Sequence, residues 1–209
     1  FNIAIGSHAL DKSNSGQNVA VGYLSMYQTT SGGFNVALGK SALQQNTTAS
    51  YNTAVGYEAL KANTTATNGV AVGAFALALN TTGEANTAIG LAALDANTTG
   101  SNNVGLGREA LGSNTTASNN TAVGYKAGLS NTTGDGNTAF GYQAFLDNTT
   151  GVNNTAIGYE ANANNTTGNY NVSLGLQSLL NSTTASENTA VGYQAGAANQ
   201  TGVRCTFVG

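Results

Sequence analysis

Apolar and polar positions recur along this chain at a fixed interval. Aligned on Gly6, Gly22, Gly39, Gly56, Gly73, Gly90, Gly107, Gly124, Gly141, Gly158, Gly175, Gly192 and Gly209, the first spacing is 16 residues and every later one is 17. Each repeat is numbered here from the asparagine of Asn52-Thr53-Ala54-Val55-Gly56. Position 1 is then asparagine in every copy but two, which carry Gly69 and Cys205. Position 2 is Thr, Val or Ile, and position 4 is Val, Ile, Leu or Phe. Position 3 is small until Phe207 in the last, partial copy. Position 5 is glycine, position 6 is often tyrosine, and position 8 is Ala or Ser in every full repeat. Leucine dominates position 9, and positions 12 to 15 read Asn-Thr-Thr-Gly or Asn-Thr-Thr-Ala in most copies.

Residues 1 to 5 of the repeat predict a short strand, with positions 2 and 4 on one face and position 3 on the other. The repeat glycines, Gly22, Gly39, Gly56, Gly73, Gly90, Gly107, Gly124, Gly141, Gly158, Gly175 and Gly192, then permit a bend that a Cβ would obstruct. The Ala-Leu segment predicts a second short strand, and the Asn-Thr-Thr segment a turn. Leucine-rich repeats with a helix need about 20 to 29 residues, more than this repeat offers. The prediction is an all-β, parallel β-solenoid of about twelve 17-residue coils, with two short strands per coil and no helix. Stacked at about 4.8 Å, the coils make a rod of roughly 60 Å. The position-1 asparagines then stack on one another and bond along the rod.

The same pattern predicts self-association. One coil offers a Val, a Leu and a Tyr for burial, which is little against the entropy of ordering the whole coil. Position 3 is small in nearly every copy, although it faces away from positions 2 and 4. A solvated face would carry varied polar residues, so this face is expected to pack against another chain, in a homotrimer or a filament.

Composition narrows the function classes. Only 7% of residues are charged, against about 25% in ordinary soluble domains. A net charge of -3 provides no basic field, so no nucleic-acid partner is expected. The longest apolar run, Ala74 to Leu79, falls far short of the about 20 residues of a transmembrane segment. Cys205 is the only cysteine, which excludes an internal disulfide and a thiolate metal cluster. The repeat is continuous over 1–209, and the chain starts at Phe1 just before one repeat. It is therefore expected to be a single repeat domain and a segment of a longer fibre.

Candidate chemistry is sparse. His8 occupies the variable position 7, and nothing in the repeat supplies the partners of a metal site or a catalytic triad. Asp11 and Asp95 share position 10 with Lys61, Asp147 falls one residue later, and all are expected as solvated charges. Gly39-Lys40-Ser41 matches the end of a phosphate-binding loop, but Phe34 stands where the motif requires glycine. The nine acidic residues are scattered over many coils, so no enzyme, cofactor or metal is expected. Asn46, Asn63, Asn80, Asn97, Asn114, Asn131, Asn148, Asn165 and Asn199 form N-x-T sequons at one repeat position, and Asn181 forms one a residue out of register. Two readings are open: turn chemistry, in which Asn and Thr bond their own backbone, or N-glycosylation in one column along the rod.

At Asn2-Ile3-Ala4-Ile5-Gly6 and Asn18-Val19-Ala20-Val21-Gly22 the sequence resembles the head repeats of trimeric autotransporter adhesins. Related repeats occur in bacteriophage tail fibres and other surface fibres. The resemblance covers essentially the whole chain, but the period is longer and an Asn-Thr-Thr-Gly turn is added. It implies a left-handed β-roll, commonly trimeric, in an adhesive fibre at a cell surface or on a virion. The expected function is thus a structural and adhesive extracellular fibre segment making repeated weak contacts, with glycans or a host cell surface as partners. The alternative is an ice-binding solenoid, for which columns such as Thr47 and Thr48 are the motive, although adjacent threonines on a strand face opposite ways.

Overall fold

In the computed structural model, which describes residues 1–209, every repeat forms one coil of a parallel β-solenoid. Coil 4 runs from Asn52 and coil 10 from Asn154. The strands run from β1 (Ile3–Ile5) and β2 (Val19–Val21) to β12 (Thr189–Val191) and β13 (Thr206–Val208), each of three residues, in one 13-stranded sheet in chain order. Thr53 pairs with Val70, Ala54 with Ala71 and Val55 with Val72. The short first repeat keeps this register, since Ile3 pairs with Val19 and Ala4 with Ala20. Its missing residue is therefore absorbed outside the strand.

Each coil has one strand, and the second strand expected over the Ala-Leu segment does not form. Those residues make overlapping tight turns. Ala59 N–H donates to Gly56 O at 3.5 Å, Lys61 N–H to Glu58 O at 3.3 Å, and Asn63 N–H to Leu60 O at 3.2 Å. Positions 7 and 9 are left-handed, with φ 56° at Glu58 and 49° at Leu60, which an extended strand cannot contain. The segment still bonds to both neighbouring coils: Glu58 N–H donates to Lys40 O and Leu60 N–H to Ala76 O, each at 3.0 Å. These inter-coil bonds offset the cost of left-handed residues with side chains.

The interior is filled by Ala54, Ala59 and Leu60, each fully buried, and by their equivalents in the other coils, which become more exposed only in the terminal coils. Thr53 and Val55 point outward and are half-buried. The expected assignment of faces is therefore inverted. A coil this thin leaves room opposite its leucine for only a methyl group, so the small position-3 residue goes in and the β-branched pair goes out. Ala122 and Ala156 have no exposed surface within a single chain. The crowding at position 3 thus comes from the chain's own leucine column, and it supplies no argument for a partner.

Two columns of asparagine complete the interior. At position 1, Asn52 N–H donates to Asn35 Oδ1 at 2.9 Å, and Asn52 Nδ2 donates across the coil to Ala66 O at 3.0 Å. At position 12, Asn63 Nδ2 donates to Asn46 Oδ1 at 3.2 Å and to Ala66 O at 3.1 Å. The stacking expected for the asparagines is present, and the carboxamides serve the backbone as much as each other.

Candidate binding face

The outer face of the sheet is built from positions 2 and 4 of each strand and position 6 just beyond the glycine bend. Gly56 has φ 137°, and a Cβ there would fall on the carbonyl oxygen of Gly73. The glycine column thus lets consecutive coils approach closely and places position 6 beside position 4. Positions 2 and 4 carry no charge in any copy. Leu38, Ile89, Leu106, Phe140, Ile157 and Val191 are exposed along one line.

The position-6 column adds aromatic rings. Tyr125, Tyr142 and Tyr159 stack with centroids 5.2 and 4.9 Å apart and interplanar angles of 20° and 8°. Stacking at the coil spacing orders these rings before any partner arrives. Cations edge the column: Arg108 and Lys126 lie 5.8 and 5.4 Å from the Tyr125 centroid, and Lys40 lies 5.4 Å from that of Tyr57.

Carboxylates in the position-7 column pair with those cations. Arg108 Nε donates to Glu109 Oε1 at 2.8 Å, and Lys126 Nζ lies 3.4 Å from Glu109 Oε2. The hydrogen bond from Arg108 holds the Glu109 carboxyl below the usual range, against partial desolvation and with help from Lys126. At Glu58, desolvation pushes the carboxyl up, but bonds to Tyr57 and Lys61 and the charges of Lys61 and Lys40 outweigh it and hold it low. The rim is therefore charged, with two cations around each of these carboxylates, and the strip beside it at positions 2 and 4 is uncharged.

The sequon asparagines are on the inside. Asn46, Asn63, Asn80, Asn97, Asn114, Asn131, Asn148 and Asn165 are fully or almost fully buried. Their Nδ2 atoms, where a glycan would attach, donate inside the rod, as Asn114 Nδ2 does to Ala117 O of its own coil at 3.0 Å and to Asn97 Oδ1 of the preceding coil at 2.9 Å. A glycan column cannot be accommodated there, and these residues do turn and ladder chemistry. Asn181 is exposed and Asn199 half-buried. The threonines beside them separate. Thr47 Oγ1 donates to Thr64 O at 2.9 Å, which occupies the position-13 hydroxyl, while Thr48 is exposed. The two columns do not share one plane of free hydroxyls.

The remaining candidates stay apart. His8 Nδ1 lies 3.6 Å from Asp11 Oδ2, and its ring meets Tyr23 and Tyr27 edge-on. Lys40 extends over Tyr57, and Gly39 stacks on Gly56, so these residues form no phosphate cradle. No three His, Cys, Asp or Glu side chains come together, and no cleft opens on the surface. The outward columns are hard to see in the sequence because the β-branched residues of positions 2 and 4 are more hydrophobic than the small residue at position 3. The free exchange of Thr for Val at position 2 between coils, beside an almost constant small residue at position 3, was the available signal.

Continuous parallel stacking, one repeat per coil, defines a β-solenoid repeat protein. No protein-family model, curated protein or solved structure matches the chain.

Proposed function

We propose that this chain is a structural and adhesive segment of an extracellular fibre, at a cell surface or on a virion. It acts as a rigid rod that carries one repeated contact surface, with little chemistry of its own. The observation that supports this reading is the strip of uncharged residues at positions 2 and 4 of the outer sheet face, repeated without interruption from Ile5 to Val208 and bordered by the position-6 column, in which Lys40 and Arg108 stand among the tyrosines. Five residues across at about 3.3 Å and twelve coils at about 4.8 Å give roughly 950 Å², on the scale of one side of a stable protein interface. This face, rather than the position-3 face, is where copies of the chain would pack in a trimer or filament. Contacts repeated once per coil gain strength by multivalency.

The test uses the chain and the double variant I89K/I157K, which places charges in the apolar strip. Sedimentation should show the parent as a concentration-dependent oligomer and the variant as a folded monomer. A parent that stays monomeric at all concentrations overturns self-association. Binding to cells or immobilised glycans should fall gradually as whole coils are deleted. Loss of all binding on altering one coil, with others dispensable, would instead reveal a discrete receptor site.

A further inference from the structure

Four of the five buried side-chain polar atoms that lack a hydrogen-bond partner lie at one place in the rod. They are Asn162 Nδ2, Asn162 Oδ1, Asn165 Oδ1 and Ser182 Oγ, at the junction of coils 10 and 11. Both interior columns change composition there. Asn162 stands in the leucine column, with φ 48° like its apolar equivalents, and has no exposed surface. Its neighbours in coil 11 are Ser173 and Ser178, where most coils have alanine. Their hydroxyl oxygens are 2.6 Å apart, and they satisfy themselves locally: Ser173 Oγ donates to Ser178 O at 2.7 Å and Ser178 Oγ to Gly175 O at 3.0 Å. Neither is bonded to the Asn162 carboxamide.

The second break is in the position-12 ladder. Asn148 Nδ2 donates to Asn131 Oδ1 at 2.7 Å and Asn165 Nδ2 to Asn148 Oδ1 at 3.0 Å. The next residue is Ser182, whose shorter side chain does not reach Asn165 Oδ1. The apolar core divides at the same level. One cluster runs from Leu10 to Ala161, and a separate one holds Leu179, Ala190 and Ala195. By contrast Gly69, which interrupts the position-1 column, leaves the leucine column intact and donates its own N–H to Asn52 Oδ1 at 2.8 Å.

We propose that the junction of coils 10 and 11 is a hydrated internal joint. Bound water takes the place of the missing carboxamide group between Asn165 Oδ1 and Ser182 Oγ and satisfies the Asn162 amide. The coils beyond it open as a unit of their own. Buried polar groups without protein partners are satisfied by ordered water, and a site with several such groups is where water is held. In a solenoid each coil contacts only its neighbours, so one weak interface sets a boundary between cooperative units. The inference concerns the stability of the rod and does not depend on what the outer face binds.

Hydrogen exchange on the full chain, followed by mass spectrometry, tests it. Amides should show a step in protection at the joint, with residues 171–209 exchanging together and about tenfold or more faster than coils 7 to 9. At the N-terminal end, which has no such joint, protection should decline gradually coil by coil. N162L repairs the leucine column and should slow exchange beyond the joint to the level of coils 7 to 9. S182N repairs the ladder independently and should shift the same amides in the same direction if N162L does not fold. A smooth decline toward the C-terminus in the parent overturns the proposal. So does a step that neither repair moves.

Discussion

At the scale of single residues, this chain places side chains where the backbone ordinarily prefers none. Positions 7, 9 and 17 are left-handed in coil after coil, as at Gln143 (φ 50°), Phe145 (φ 56°) and Asn153 (φ 55°). Substitution with glycine should therefore reverse its usual sign. A85G, at an exposed residue with φ 54°, should leave the melting temperature unchanged or raise it, by up to about 1 kcal/mol of stability. Glycine at position 5 is the opposite case. G56A puts a Cβ onto the backbone of the next coil at a φ of 137°, and should cost about 3 kcal/mol in chemical denaturation. Asp95 is the one carboxyl held above its usual range, through burial first and the neighbouring Glu109 charge second, against bonds from backbone N–H groups. A raised folded pKa means that its ionisation destabilises the fold as pH climbs from the unfolded value through the folded one. D95N should raise the melting temperature at neutral pH, and the gain should vanish near about pH 3, where both chains are neutral at this site.

At the scale of the coil, the alternation of one three-residue strand decides which substitutions matter. Ala122 and Val123 are adjacent, one fully buried and the other half-buried. A122V overfills the interior and should cost about 1 to 3 kcal/mol. V123T, on the outer face, should change stability by no more than about 0.5 kcal/mol. Equal effects in thermal unfolding would mean that the two faces are assigned wrongly. A122R would unfold the chain rather than dissociate an assembly, because its site is enclosed by the same chain. The coil also explains why the Asn-Thr-Thr segment looks like a modification signal. The amide and hydroxyl that make a sequon are the groups that cap this turn and bond to the next coil, as Asn97 and Thr98 do.

At the scale of the whole molecule, stability accumulates coil by coil. Deleting residues 86–102 removes one full period, so Gly69 to Ala85 would meet Asn103 with every column in register. That variant should keep its far-ultraviolet circular dichroism per residue and stay cooperatively folded. Deleting only residues 86–94 shifts every interior residue off its column, and this variant should lose the transition. The rod is uniform enough that its exceptions are informative, and the two that coincide in space, at Asn162 and Ser182, fall at the boundary of the apolar core.

The period by itself pointed to the architecture: a constant spacing calls for stacked repeats in register, and 17 residues leave too little length for a helix-containing coil. The turn at Asn-Thr-Thr and the bend at glycine were legible too, since glycine reaches a φ that other residues avoid and Asn and Thr side chains bond their own backbone in turns. Which face is interior was not legible. A three-residue strand has one residue on one side and two on the other, and hydrophobicity alone favours burying Val55 with its neighbour Thr53 over Ala54. Only closure of the coil settles it, because the width left opposite Leu60 admits a methyl group and nothing larger. The same closure turned the expected second strand into turns, buried the sequon asparagines, and moved the candidate contact surface from position 3 to positions 2, 4 and 6.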